Sequence, residues 1–222
     1  MRSLALLALS AAALTQLPGD ARAESTPYFY LGPQISTLGF GGEAGVRLND
    51  FLGLRAGGNY FSYDGDEEID DTDYDFDLDL ASAGAVLDVH PFGTGFRLTG
   101  GFRWNGNGAD LTATPNGTIT VGDRTFTAAE AGRVTGEIDF NSFAPYTGFG
   151  YQGGLFGNRL LLSFDLGVLF QGDPDVDLDG DGTLANDPAF RAELKNEADE
   201  IEDELAFLGF YPVAALTATY RF

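Results

Sequence analysis

The sequence contains no cysteine, which excludes a disulfide framework and any thiolate metal site. Histidine occurs once, at His90, directly before Pro91. No Ser/His/Asp grouping can be assembled around it, so a capped turn histidine is expected and catalysis is not. After the first residues there is no run of ~18 apolar residues, so no membrane-spanning helix is expected. Basic residues are scarce, with 12 Lys and Arg against 34 Asp and Glu and a net charge of −22. So acidic a chain repels phosphates, which excludes nucleic acid as a partner. Calcium, magnesium or cationic solutes suit it better.

What is present begins with a leader. Arg2 precedes an apolar stretch from Leu4 to Leu14, Pro18-Gly19 breaks it, and Ala21-Arg22-Ala23 forms a small-x-small cleavage site. Residues 1–23 are therefore expected to be a secretory signal peptide. Residues 24–222 make one domain of ordinary size.

Glycine is abundant at 31 residues and aromatics make up 13 %. Period-2 alternation predicts eight strands, near 28–36, 41–49, 51–63, 73–89, 96–105, 137–151, 159–171 and 211–222. In the fifth, Phe96, Leu98, Phe102 and Trp104 share one face and Arg97, Thr99 and Arg103 the other. Short connections alternate with long ones. The expected fold is all-β, an eight-stranded antiparallel transmembrane β-barrel with long extracellular loops. Two parity breaks predict β-bulges near Ala81-Ser82 and Asn141-Ser142. Pro115-Asn116-Gly117 predicts a hairpin joining 111–114 to 118–121.

In so narrow a barrel, side chains fill the interior. Glu43, Arg47, Arg55, Asp88, Arg97, Arg103, Asp139, Asp165 and Arg221 fall on its inward positions and should pair as an internal constriction. The stretch "DYDFDLDL" alternates Asp73, Asp75, Asp77 and Asp79 with Tyr74, Phe76, Leu78 and Leu80. The expectation places the four carboxylates at the barrel mouth as a cation-attracting row, with Leu78 and Leu80 in lipid. The alternatives are a solvated acidic surface and a dedicated calcium site near Asp73. In "DPDVDLDGDGTL", Asp177, Asp179 and Asp181 match the opening of a calcium loop, but the twelfth position is Pro188, not Glu. A calcium site and a bare acidic turn both remain open there. Asp187-Pro188 followed by Phe190, Leu194, Ala198, Ile201, Leu205 and Leu208 predicts one amphipathic helix over 188–207 in the last loop. It could pack on the rim or act as a lid.

The chain ends on an aromatic strand, Tyr220 and Phe222 sharing a face. This resembles the signal by which bacterial outer-membrane barrels engage the barrel-assembly machinery. The segments "HPFGTGFRLTGGFRWN", "VGDRTFTAAEAG", "GEIDFNSFAPYTGFGY", "LSFDLGVLFQGDPDVDL" and "NEADEIEDELAFLGFYPVAALTATYRF" resemble, in that order, the CarO-type outer-membrane proteins. That resemblance implies an eight-stranded barrel of the bacterial outer membrane with slow uptake of small, preferably basic, amino acids such as ornithine. No cofactor is required, though Ca2+ is possible. The other expectation is a non-transporting structural barrel whose acidic loops bind calcium, lipopolysaccharide or a partner.

Overall fold

The computed structural model describes residues 27–69, 72–122 and 124–222. The expected leader, Asp70 and Asp71 lie outside the described residues. The chain is all-β, with thirteen antiparallel strands among the described residues: β1 (Tyr28–Ser36), β2 (Gly39–Arg47), β3 (Leu52–Ile69), β4 (Thr72–Val89), β5 (Phe96–Asn105), β6 (Gly108–Pro115), β7 (Thr118–Val121), β8 (Arg124–Thr127), β9 (Val134–Asp139), β10 (Phe143–Leu155), β11 (Leu160–Phe170), β12 (Asp175–Gly180) and β13 (Phe210–Arg221). A short helix α1 (Ala128–Ala131) and a longer helix α2 (Pro188–Leu205) interrupt the strands, and a 3-10 turn follows α2. No described helix is long and apolar enough to cross a membrane.

The pairings run from β1 through β2, β3, β4, β5, β10, β11 and β13 and return from β13 to β1. This ring has a lower end with short turns at 48–51, 90–95 and 156–159. The tightest of these places Phe156, Gly157 and Asn158 at positive φ, a conformation that glycine and asparagine accept most readily. The ring's outer surface carries exposed apolar side chains, among them Leu54, Leu98, Leu162 and Leu166. Near its upper end lie Phe40, Tyr60, Phe102, Trp104, Phe143 and Phe210, all exposed.

β3 and β4 outgrow the ring. They stay paired without a register slip from Leu52 opposite Val89 to Ile69 opposite Thr72. The lower half of β4 pairs with β5, and its upper half, in the same register, with β6. Strands β9 and β12 then extend this upper sheet beyond β6. The upper sheet thus comprises the ends of β3 and β4 with β6, β9 and β12.

Three expectations are corrected here. No bulge occurs at Ala81-Ser82, because β3 and β4 run through it in register. The parity break at Asn141-Ser142 is a strand end rather than a bulge: β9 stops at Asp139 in the upper sheet, and β10 starts at Phe143 in the ring. The predicted hairpin at Pro115–Gly117 does not form. β6 pairs with β4 and β9 instead, and the hairpin joins β7 to β8.

The amphipathic helix matches its sequence pattern. Asp187 caps it, its side chain accepting from the Ala189 and Phe190 amides at 2.8 and 3.1 Å. This satisfies two otherwise orphaned donors of the first turn. Phe190, Leu194 and Ala198 are buried. Phe190 and Leu194 join Ala113, Val121, Phe126, Ala131 and Val134 in a core over the inner face of the upper sheet, with Tyr74 and Leu178 packed against it. Phe126 meets Phe190 edge to face at 4.9 Å, a favoured aromatic geometry. At the hairpin tip, the Gly122 amide donates to Glu197 at 2.8 Å.

Candidate functional site

Inside the ring, Arg55 and Arg97 organise the charged residues. Arg55 donates through Nη1 to Glu43 Oε2 at 2.7 Å, and through Nε and Nη2 to both oxygens of Asp88 at 2.6 and 3.0 Å. Arg97, 1 % exposed, donates through Nε and Nη2 to both oxygens of Asp165 at 3.0 and 2.6 Å. Arg55 Nη2 also reaches Asp165 at 3.5 Å. Thr99 bridges the network, donating to Asp88 at 2.7 Å and accepting from Arg55 at 3.1 Å. The two forked guanidinium–carboxylate pairs have the geometry of the strongest charge-assisted hydrogen bonds. Strand alternation places them here: each residue occupies an inward position of β2, β3, β4, β5 or β11, while its neighbours face out. A Cβ at Gly150 would collide with Asp165, so that glycine leaves the space the ion pair fills.

The nine residues expected at the constriction therefore divide. Glu43, Arg55, Asp88, Arg97 and Asp165 form the network. Arg103 sits beside it, donating to Ser82 at 2.8 Å and Asn59 at 3.3 Å. Arg47 instead ties the lower turns together, donating to the carbonyls of Asn49 and Asp50 at 2.8 and 2.7 Å. Arg221 lies 3.8 Å over the Tyr28 ring. Asp139 lies outside the ring, on β9, because the chain leaves the upper sheet and enters the ring between Phe140 and Ser142. His90 is buried in the lower turn, its Nδ1 3.0 Å from the Phe96 carbonyl. Burial, then the Arg47 charge, pushes its pKa down.

The space left beside the network is a cavity of about 30 Å3 lined by Glu43, Arg55, Arg103, Tyr146 and Asp165. It has room for a water or two and is far smaller than an amino acid. Glu43 Oε1 and Arg103 Nε have no protein partner. An apolar cluster of Leu38, Ala144, Tyr146, Leu169 and Val213 also fills the ring. Leu38, from the β1–β2 turn, is completely buried, a plug that sequence reading missed because a two-residue turn shows no alternation.

The upper sheet has the opposite character. With no bulge in β4, Tyr74, Phe76, Leu78 and Leu80 share the face of Ser82 and Asp88. Asp73, Asp75, Asp77 and Asp79 share the outer face with Ala83, Ala85 and Leu87. The four carboxylates thus face away from the ring axis instead of into its mouth. Tyr74 packs into the core beneath α2, and Leu78 and Leu80 line an apolar space under the helix end, so neither leucine faces outward.

Neighbouring strands repeat the pattern. Direct cross-strand partners connect Asp64, Asp77, Asp110, Glu137 and Asp177 into one row across five strands. Asp66 opposes Asp75, Glu68 opposes Asp73, and Asp139 opposes Asp175. Like charges directly opposite one another are destabilising. Asp77 is held above the usual carboxylate range, first by partial desolvation, then by the hydrogen bond and charge of Asp64 and by Asp110 and Asp75. Glu137 is raised as well, by Asp139 first and then by Asp110.

Asp177 and Asp179 belong to strand β12, so their stretch is extended and cannot wrap an ion as a calcium loop does. Asp181 accepts from the Arg133 amide at 2.6 Å. Among the described residues no group of three or more His, Asp or Glu is arranged to hold a metal ion. Tyr220 and Phe222 stack edge to face at 5.1 Å on the outer surface, Phe222 71 % exposed.

A ring-closed antiparallel sheet defines the class of β-barrel folds, and this one is apolar on its outer surface and holds a charged network inside. Within that class the chain is similar to two crystal structures from Acinetobacter baumannii. One is CarO2, with a TM-score of 0.58 and 21 % identity over 88 % of this chain and 98 % of that one. The other is CarO, with a TM-score of 0.55 and 22 % identity over 87 % and 97 %. A major outer membrane protein from Thermus thermophilus aligns at a TM-score of 0.45 and 14 % identity, over 89 % and 100 %. The CarO likeness is one of fold. No protein-family model matches the chain, and no curated protein matches it in sequence.

Proposed function

We propose that the protein is an eight-stranded transmembrane β-barrel of the bacterial outer membrane, with the lower turns in the periplasm and the upper sheet outside. In this reading its interior is sealed, and its acidic outer face binds divalent cations that bridge to lipopolysaccharide phosphates. The apolar ring surface with its upper aromatic band supports membrane insertion, as does the length of the spanning segment. Leu52 to Tyr60 alone approaches the ~9–11 residues of a tilted spanning strand.

The carboxylate row on β3, β4, β6, β9 and β12 carries the functional reading. It continues the lipid-facing side of β3 and β4 upward, just above Tyr60, whose hydroxyl reaches Asp79 at 3.4 Å. At that height the neighbours are lipid headgroups. Two anionic surfaces meet there, and only bound cations relieve both. The test is protease resistance of the refolded protein in lipopolysaccharide vesicles, with Mg2+ or with EDTA. Mg2+ should protect the upper sheet of the parent and have much less effect on a variant with Asp64, Asp77 and Asp110 changed to Asn and Glu137 to Gln. Equal Mg2+ dependence in both proteins would refute the role of the row.

Slow passage of small cationic solutes such as ornithine is the second reading. The CarO-like fold and the unpartnered Glu43 Oε1 beside the interior cavity favour it. It requires the Arg55 network and the Leu38 plug to move. Uptake of radiolabelled ornithine into liposomes decides: uptake above that of empty vesicles supports passage, and its absence leaves the sealed barrel.

A further inference from the structure

The upper sheet has two edges, β12 and the part of β3 above Tyr60. They are finished differently. Asp181 donates to the Arg133 carbonyl, just ahead of β9, at 3.1 Å, so by alternation the amides of Val176, Leu178 and Gly180 point away from β9. Carboxylates cap the first and last of these: Val176 donates to Glu202 of α2 at 3.1 Å and Gly180 to Asp179 at 2.9 Å. The β12 edge is largely closed.

The β3 edge is open. Its pairing with β2 stops at Phe40 opposite Tyr60, whereas the strand continues to Ile69. Ala81 of β4 accepts from the Gly106 amide at 2.8 Å, on the side away from β3. Main-chain groups alternate sides along a strand, so Leu80, Leu78, Phe76 and Tyr74 bond toward β3, opposite Phe61, Tyr63, Gly65 and Glu67. The N–H and C=O groups of Ser62, Asp64, Asp66 and Glu68 therefore point outward, and all four residues are exposed. Among the described residues no strand or loop backbone pairs with them. The run holds neither proline nor bulge, two of the devices that keep an exposed edge from pairing.

Charge is the device it does have. Asp64, Asp66 and Glu68 alternate on the outer face, and Tyr63, 56 % exposed, lies on the other. A second copy aligned on this edge would set the carboxylates against their own kind, which is destabilising. A strand with Lys or Arg at every second position would meet them with opposite charge, its intervening residues lying beside Tyr63. We infer that the upper edge of β3 is a strand-addition site for an extended segment of another protein that carries basic residues at alternate positions. Main-chain bonds to Ser62, Asp64, Asp66 and Glu68 supply the binding, and the carboxylates select the partner. The site is a sheet edge, and it stands whether or not divalent cations bridge the outer carboxylate face.

The probe is a short peptide alternating lysine with threonine or valine, beside the same peptide methylated on its lysine amide nitrogens, which keeps the charge and removes the donors. Binding to the intact, detergent-solubilised protein in EDTA is followed by fluorescence anisotropy and by NMR-detected hydrogen exchange. The methylated peptide should bind at least about tenfold less tightly, the combined worth of several net hydrogen bonds. The unmethylated one should slow exchange at Ser62, Asp64, Asp66 and Glu68. Asp66→Pro removes one outward amide without touching a bond to β4, at the kind of edge position that accepts proline. Asp66→Asn removes the same charge and keeps the amide, so the proline variant should bind severalfold less tightly than the asparagine one. Equal binding of the two peptides to the parent, a comparison that needs no variant to fold, would mean adsorption by charge alone and overturn strand addition. Protection along β12 instead of β3 would overturn the site. Protection of the four amides without peptide, growing with protein concentration, would make a second copy the occupant and overturn the basic partner. Absence of binding by either peptide would overturn the inference outright.

Discussion

The two halves of β3 and β4 both carry charged side chains and use them in opposite ways. In the lower half, Arg55 and Asp88 point into the ring, buried, forked and hydrogen-bonded to one another. In the upper half, Asp64, Asp66, Asp73, Asp75 and Asp77 point outward, facing mainly other carboxylates and solvent. Below, charge is matched because burial of an unpaired charge is prohibitive. Above, charge goes unmatched because solvent tolerates it, while Tyr74, between the carboxylates, packs against the core of α2 and the β7–β8 hairpin. One continuous hairpin therefore joins a self-sufficient electrostatic interior to an acidic, solvent-facing surface.

Breaking the lower half should have the largest effect. Arg55→Met leaves Glu43 and Asp88 buried without their guanidinium, and should destabilise the protein by about 3–5 kcal/mol. Urea unfolding from lipid vesicles measures this. Phe190→Ala removes the aromatic at the centre of the upper core and should cost a similar or slightly smaller amount, about 3–5 kcal/mol. Its effect stays local: protease should cut the upper sheet and α2 while the ring remains folded. A ring that unfolds with it would join the two regions into one cooperative unit.

Gentler changes sharpen the contrast. Asp77→Asn, in the middle of the row, should make the upper sheet more resistant to protease at low salt, an advantage that fades as Mg2+ or NaCl is added. The pH dependence has the same sign. Asp77 and Glu137 bind protons more tightly in the folded state than their ordinary pKa values of 3.8 and 4.5. Their contribution to stability is fully present below those values and is lost as pH rises through the raised ones. Hydrogen exchange of the upper sheet should therefore slow as pH falls from neutral into the carboxylate range, after correction for intrinsic exchange.

The sequence disclosed the lower half well. Alternation in β5, β11 and β13 identified the inward side, and inward charge in a narrow space implied ion pairing. It disclosed the upper half poorly, for a reason visible in Leu78 and Leu80. Period 2 distinguishes an apolar face from a polar one, but lipid and a packed helix are the same to it. Assigning those leucines to lipid demanded a bulge that does not exist and turned the carboxylates the wrong way. The parity slip at Asn141-Ser142 was likewise consistent with a bulge or a strand end, and only the partners of β9 distinguish them. A signal was available. Alternating carboxylates recur at 64–68, 73–79, 137–139 and 175–179, as strands of one sheet sharing one solvated face would have them.

The absence of cysteine allows a direct test of which way β4 faces. Asp77→Cys and Leu78→Cys would each place a single thiol in adjacent positions on opposite sides of the strand. Both variants are refolded into vesicles and treated with a membrane-impermeant maleimide. The structure predicts rapid modification at position 77 and slow modification at position 78, beneath α2. Rapid labelling at 78 with protection at 77 would return the carboxylate row to the barrel mouth and contradict the account.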